Sequence, residues 1–290
     1  MEENVKKIVD QIIEFEIKGK PQDYQMIFVA GQTGGGKDTL VKKIVSQNNN
    51  KFVVIDMDDY RHYFQSDETI KDIEYAEKTN KYAYDIFTKI IEKVTSNKDL
   101  KGTNVIITGT MRNKEWTERI IRQFKEANYN IQIYALAVEK FESQISIIER
   151  YLKSVQIKLS RGDKYESPTR FTSMEYHEES IEGFLKTIES FIKQPEIEIQ
   201  VYQRGKDLDK INNDDLLCND RETAYNTIKE KINSEIDEKK YRERLIDILN
   251  MLKELKNYLE EQCTCFELVV MIKAILTELE QKKVTSFGRE

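Results

Sequence analysis

Cysteine and histidine are scarce in this chain, with three of one and two of the other in 290 residues. Cys218, Cys263 and Cys265 are too few for a disulfide framework and fit a reducing, cytosolic compartment better. Cys263-Thr264-Cys265 has no third or fourth metal ligand near it in sequence and is expected to be an incidental helix pair. His62 and His177 have no cysteine or further histidine beside them, which argues against zinc chemistry and against a histidine-based triad. Long hydrophobic runs are missing too. The apolar run at 266–276 is short and carries Lys273, so no membrane-spanning helix is expected. Residues 1–20 lack the basic, apolar and small-residue order of a signal peptide and have an amphipathic helix pattern instead. Neither sign of charge dominates. The 46 basic and 52 acidic residues are interspersed and leave a net charge of −6, so a nucleic-acid partner is not expected.

What the chain does have is 39% apolar residues, enough for a real core, and 34% charged residues for its surface. Its centre of gravity is residues 27–40, IFVAGQTGGGKDTL. Ile27, Phe28, Val29 and Ala30 make the apolar run of a buried parallel strand. Gly31 closes it, and Gly34, Gly35 and Gly36 lead into Lys37, after which Leu40, Val41, Ile44 and Val45 recur at helical spacing. A G-x-x-x-x-G-K match in a strand–loop–helix context predicts a phosphate cradle. Glycines let backbone N–H groups converge on an anion, and the helix N-terminus adds favourable partial charge. The expected ATP-binding residues are therefore Gly31, Gln32, Thr33, Gly34, Gly35, Gly36, Lys37, Asp38 and Thr39. Asp38 is irregular, standing where the motif wants Ser or Thr.

Further strands are expected at 52–55, 104–107, 131–138 and 197–201, separated by helices near 70–94, 116–124, 141–155 and from Ser173 onward. That alternation implies an α/β fold with a P-loop NTPase-like, mostly parallel sheet flanked by helices. Beyond about residue 212 strand signals vanish. Leu245, Ile248, Leu249, Leu252, Leu255, Leu259, Leu268, Val269, Ile272 and Leu276 then mark an all-helical extension. The expected division is a kinase domain over 1–211 and a helical extension over 212–290.

In such a sheet, ligands bind at the carboxyl ends of the strands, where the polar clusters fall. Asp56 and Asp58 follow the second strand; Thr110 and Arg112 follow the third. The third strand ends in Thr108, so the acidic residue of motor-type NTPases is missing there. A carboxylate placed after the second strand suits a small-molecule kinase, in which it takes the proton of an attacking hydroxyl. Asp58 is the candidate base, and Asp56 or Asp59 could equally cap the following helix. Positive charge for the moving phosphate would come from Mg²⁺ and from arginines, among Arg112, Arg150, Arg161 and Arg170. Arg150 is expected at the end of the helix after the fourth strand, and 161–170 reads as a lid-type loop.

Eight segments in order, GQTGGGK, VVIDMDDYR, TNKYAYDI, ITGTMR, IYALAVEK, IIERY, PTRFTSMEYHE and IQVYQR, resemble the zeta toxins of epsilon/zeta-type toxin–antitoxin systems. The resemblance covers residues 5–207. It implies a cytoplasmic kinase that uses ATP and Mg²⁺ to phosphorylate the 3′-hydroxyl of the sugar in UDP-N-acetylglucosamine, blocking cell-wall synthesis. A small helical antitoxin partner is implied as well. The resemblance makes Asp58 the general base, Lys37 the phosphate-loop lysine, and Arg150 and Arg170 the clamp on the transferred phosphate. It places Thr110 and Arg112 against the substrate and makes His177 structural or lid-positioning. Asp38 and Thr39 become the candidate metal contacts. Thr88 and Thr108 stand where the family has substrate-contacting glutamates, Phe64-Gln65 where His-Pro is common, and His177-Glu178 in place of His-Asp. Two alternatives stay open: a P-loop kinase with a different nucleotide or sugar acceptor, and a non-catalytic nucleotide-binding interaction protein.

Overall fold

A computed structural model of the chain describes residues 2–64, 70–162, 169–205, 215–234 and 238–287. They form two compact units. The first comprises 1–65, 79–138 and 179–232; the second comprises 66–78, 139–178 and 233–290.

The first unit is built on six strands, β1 (Gln25–Gly31), β2 (Val53–Ile55), β3 (Val105–Gly109), β4 (Asn130–Ala137), β5 (Glu198–Gln203) and β6 (Leu216–Cys218). Their order is β2-β3-β1-β4-β5-β6. The first five run parallel, and β6 adds antiparallel to β5. Central β1 is buried from Met26 onward because both its neighbours and both its faces are covered, as its unbroken apolar run predicts. Successive residues serve opposite faces. Met26, Phe28 and Ala30 join Val105, Ile107, Ile131 and Ile133 in a large core, to which helices α1 (Glu2–Ile12), α3 (Asp72–Ser96), α4 (Lys114–Glu126), α6 (Met174–Phe191) and α7 (Arg221–Ile232) contribute. Ile27, Val29, Ile106 and Leu136 face the other way and meet Leu40, Val41 and Ile44 of α2 (Lys37–Gln47).

The second unit centres on α5 (Lys140–Ser160), α8 (Glu238–Glu261) and α9 (Cys265–Phe287). Phe141, Ile145, Ile148, Tyr151, Leu152 and Val155 of α5 pack with Tyr241, Leu245, Ile248, Leu255 and Leu259 of α8 and with Leu268, Met271, Ile272 and Ile275 of α9. Most of the predicted leucine stripe is thus core, while Leu249, Val269 and Leu276 remain exposed.

Several elements differ from the sequence expectation. The N-terminal helix gives way at Ile13–Ile17 to a π-helical turn. A strand, β6, does follow residue 212; it is three residues long with exposed leucines, so it carries no periodic signal. Each unit draws on segments separated in sequence: β6 and α7 belong to the first, and α5 joins α8 and α9 in the second. Helix α5 runs on to Ser160, which puts Arg150 at its middle rather than its end.

Candidate active site

The phosphate loop links β1 to α2. Gly34 and Gly36 take φ of +78° and +93°, a region that L side chains rarely adopt, so the two sharp reversals of the loop require glycine there. A Cβ at Gly35 would come within 3.0 Å of the Gln32 carbonyl and begin to fill the cradle. Lys37 Nζ donates to the carbonyls of Gly31 (3.0 Å) and Gln32 (3.2 Å), which folds the ammonium back across the loop. Gln32 is fully buried and its Nε2 donates to the Val138 carbonyl at 2.6 Å, tying the loop to the end of β4. The Thr33 N–H donates to Ser180 Oγ of α6 at 3.3 Å. Asp38 and Thr39 lie in the first turn of α2, where a negative charge is favoured by the helix dipole.

After β2 the chain turns into a 3₁₀ helix, Met57–Tyr63. Asp56 is its cap: Oδ1 accepts from the Asp58 N–H at 2.8 Å, and Oδ2 accepts from the Thr108 hydroxyl at the end of β3. The Asp58 side chain remains 39% exposed and its Oδ1 accepts from Arg61 Nε at 2.8 Å. Arg61 is buried and extends its other nitrogens to Thr79 Oγ1 (2.9 Å) and Asn80 Oδ1 (3.4 Å) of α3. Asp58 is therefore held by a cation that is itself anchored at two further points, leaving the carboxylate open to solvent on one side. Asp59 is exposed. Even so, the protein packed around it pushes its carboxyl up to about 6, and the charges of Asp56 and Asp38 add to the push. The carboxylates of Asp38, Asp56 and Asp59 thus share one electrostatic neighbourhood beside the loop.

The segment after β3 is shaped from α6. Thr110 Oγ1 accepts from the Arg112 N–H at 3.3 Å, Arg112 pairs with Glu179 at 2.5 Å, and Thr187 Oγ1 donates to the Met111 carbonyl at 2.7 Å. Ser180, Gly183 and Thr187 fall on one helical stripe, so a single face of α6 supports both the phosphate loop and this segment. The Thr88 hydroxyl is bonded to the carbonyls of Tyr84 and Asp85 in its own helix.

In the second unit, Arg150 projects from the middle of α5 and is exposed, and Arg170 is half-buried just ahead of α6. Arg161 is exposed at the end of α5; the remainder of the expected lid, 163–168, lies outside the described residues, as does Gln65. His177 is fully buried, with Nε2 at 2.8 Å from Ser143 Oγ, as suits a structural residue. Glu178 pairs with Lys140 at 2.8 Å. Burial pushes its carboxyl up, but hydrogen bonds and charge from His177 and Lys140 outweigh that and hold it at about 2.

Two basic residues escape sequence reasoning. Arg61 follows Asp58 by three, the spacing that lets them meet on one turn, and only that spacing could have marked it. Arg204 follows β5, with Nε 3.7 Å from where a Cβ on Gly36 would stand, which places a guanidinium at the phosphate loop.

Among the described residues no group of three or more acidic, histidine or cysteine side chains could hold a metal alone. Mg²⁺ that accompanies a nucleotide takes only one or two carboxylates, with phosphate and water completing its octahedron. Asp38 with Thr39, at the loop's end, fits that requirement, as the glycine cradle and Lys37 fit a triphosphate.

The strand order, the glycine loop and the carboxylate after β2 define a P-loop fold of the kinase type. The sequence profile of the zeta toxins matches residues 13–215, and the chain belongs to the zeta toxin family. Toxin PezT of Streptococcus pneumoniae serotype 4 (strain ATCC BAA-334 / TIGR4) is 24% identical over 196 residues, covering 65% of this chain and 73% of that protein. Toxin zeta of Streptococcus agalactiae is 29% identical over 124 residues, so the chain spans 42% of that relative's length. Among solved structures, one from the PezAT chromosomal toxin–antitoxin system of Streptococcus pneumoniae superposes with a TM-score of 0.64 at 18% identity, covering 88% of this chain and 97% of that one. The AvrRxo1-ORF1:-ORF2 complex with ATP gives 0.55 at 9% identity, covering 94% and 88%. Both likenesses establish the fold. No helix among the described residues is long and apolar enough to cross a membrane.

Proposed function

We propose that the chain is the toxin of a toxin–antitoxin pair, a cytoplasmic kinase that moves the γ-phosphate of ATP to the 3′-hydroxyl of the sugar of UDP-N-acetylglucosamine. The observation that carries this reading is Asp58, a solvent-open carboxylate fixed by the buried Arg61, in the same unit as a glycine loop closed by Lys37. Bound ATP and Mg²⁺ would supply the phosphoryl group and neutralise its charge. The residues of the chain do the rest. Lys37 and the loop N–H groups hold the phosphates, Asp38 and Thr39 offer oxygens to the metal, and Asp58 accepts the proton leaving the acceptor hydroxyl. Arg150 and Arg170 are assigned the developing charge on the transferred group, and Thr110 and Arg112 the acceptor. The division of the chain into a kinase part and a helical extension is kept as part of this proposal. Membership of the family supports the kinase reading, and the toxin–antitoxin origin of PezT supports a small antitoxin as partner.

A second reading, a different nucleotide or sugar acceptor, draws on two placements. Thr108 spends its hydroxyl on Asp56 and Thr88 on its own helix, so neither offers the acceptor a carboxylate or a free donor. Incubating the protein with ATP, Mg²⁺ and UDP-N-acetylglucosamine separates the two. A gain of one phosphate on the nucleotide sugar, absent in Asp58→Ala, supports the first reading; an unchanged sugar, with phosphate gained by another metabolite of a cell extract, supports the second.

A further inference from the structure

Asp72 begins α3 and has no solvent exposure. Its Oδ2 accepts from the hydroxyls of Tyr151 (2.9 Å) and Tyr258 (3.1 Å), and Oδ1 accepts from the Thr169 N–H at 2.7 Å. Its own N–H donates to Gln262 Oε1 at 3.0 Å, and the Tyr151 hydroxyl also meets Thr264 Oγ1 at 3.0 Å. All these residues belong to the second unit. Tyr151 is the immediate neighbour of Arg150, and Thr169 of Arg170. Tyr258 lies in the last turn of α8, and Gln262 and Thr264 in the turn between α8 and α9. One carboxylate therefore joins the two arginine-bearing segments to the C-terminal helix pair.

We propose that Asp72 is a positioning residue for phosphoryl transfer, and that α8 and α9 serve as a fixed brace that sets the backbone of Arg150 and Arg170 through it. The inference rests on the kinase reading above. A buried carboxylate is a costly way to fill space, since apolar packing would stabilise the unit as well or better. What a carboxylate adds is three directed acceptor bonds from three separate segments. Burial pushes its pKa up, and the bonds from Thr169 and Tyr151, with the charge of Lys158, act against that. A second clamp acts on the same helix. Arg244 of α8 donates to Glu149 Oε1 and Glu142 Oε1, both at 2.8 Å, and to Ser146 Oγ at 3.0 Å. Both clamps grip α5 beside Arg150, one at Tyr151 and one at Glu149.

The test compares binding of ADP with binding of ADP plus aluminium fluoride and Mg²⁺, a mimic of the phosphoryl group in flight, in the full-length chain. The wild type gains affinity when the fluoride is added, and Arg150→Ala and Arg170→Ala abolish that gain. Asp72→Asn and Tyr258→Phe are expected to cut the gain at least fivefold while ADP affinity stays within twofold, and kcat falls with KM for ATP unchanged. Thr264→Val, a milder change, keeps the test open should Asp72→Asn fail to fold, and is expected to act in the same direction. A gain retained in the variants, or a loss shared equally by ADP and the mimic, overturns the positioning role. A wild type with no gain at all overturns the kinase reading, and the inference with it.

Discussion

Gly183 offers a sharp test of how the site is assembled, because two physical rules give opposite signs for one substitution. It lies inside α6, and replacing a helical glycine by alanine ordinarily stabilises by about 1 kcal/mol. Here a Cβ would stand 2.0 Å from the Arg112 carbonyl oxygen and 2.6 Å from its carbonyl carbon and Cα. The obstacle is backbone and cannot swing aside. The segment is moreover held by the Thr187–Met111 bond and the Arg112–Glu179 pair, and Met111 already sits at φ +52°. Relieving the clash requires helix and segment to part by more than about 1 Å, and such overpacking costs about 1–3 kcal/mol or more. A 2.0 Å approach to backbone puts the cost at the upper end, about 2–3 kcal/mol, so Gly183→Ala is expected to lose about 1–2 kcal/mol net, lowering the melting temperature by roughly 2–8 °C. Urea and thermal unfolding measure the loss. Displacement of Thr110 and Arg112 should also raise KM for the acceptor more than KM for ATP. A neutral or stabilised variant would show that α6 does not pack against this segment as described.

Other expectations follow from charge placement and backbone geometry. Arg244→Met removes the cation paired with Glu142, whose side chain is 3% exposed and also accepts from the Tyr241 hydroxyl, and should destabilise the chain by about 3–5 kcal/mol in chemical denaturation, whereas exposed pairs such as Lys18–Glu14 should cost about 0–1 kcal/mol. Asp59 has its carboxyl pushed up to about 6 from an ordinary 3.8, so the native state binds more protons than the unfolded chain between those values. Stability contributed by this group therefore falls as pH rises from about 4 to 6. Asp59→Asn should be more stable than wild type at pH 7.5, with the difference gone below pH 4; an equal difference at both would refute the assignment. Gly36→Ala, at φ +93° and beside Arg204, should weaken ATP binding by tenfold or more without unfolding the chain, read by nucleotide titration and circular dichroism.

How far the sequence discloses this arrangement depends on the range of the interaction involved. The parallel strands are legible because they are apolar runs closed by glycine or polar residues, or in β5 an apolar–polar alternation, and their alternation with helices implies a mostly parallel sheet; the strand order itself comes only from the structure. The phosphate loop and Asp58 are legible because backbone geometry and local spacing dictate them. The cap at Asp56 is legible as one of two options, but its bond to Thr108 spans 52 residues and no local pattern reports it. Thr108 and Thr88 invite comparison with acceptor-binding residues, yet which way a hydroxyl turns is settled by its neighbours in space. Arg150 is placed at a helix end because the apolar residues after Val155, Ile157 and Leu159, alternate with polar ones and blur the helical spacing, although the helix runs on to Ser160. Asp72 is wholly hidden, since its partners lie up to 190 residues away. Arg204 follows a recognisable strand but comes to the loop only through the sheet.

In the proposed function, Asp58 and Lys37 carry phosphoryl transfer to a sugar hydroxyl. The most direct measurement follows purified protein, ATP, Mg²⁺ and UDP-N-acetylglucosamine by mass spectrometry, alongside Asp58→Asn and Lys37→Met. Wild type is expected to yield a nucleotide sugar heavier by one phosphate, neither variant any such product, and Asp58→Asn near-wild-type ATP binding. Product formed equally by Asp58→Asn, or tight ATP binding by wild type with no transfer to any acceptor, would contradict the proposed function.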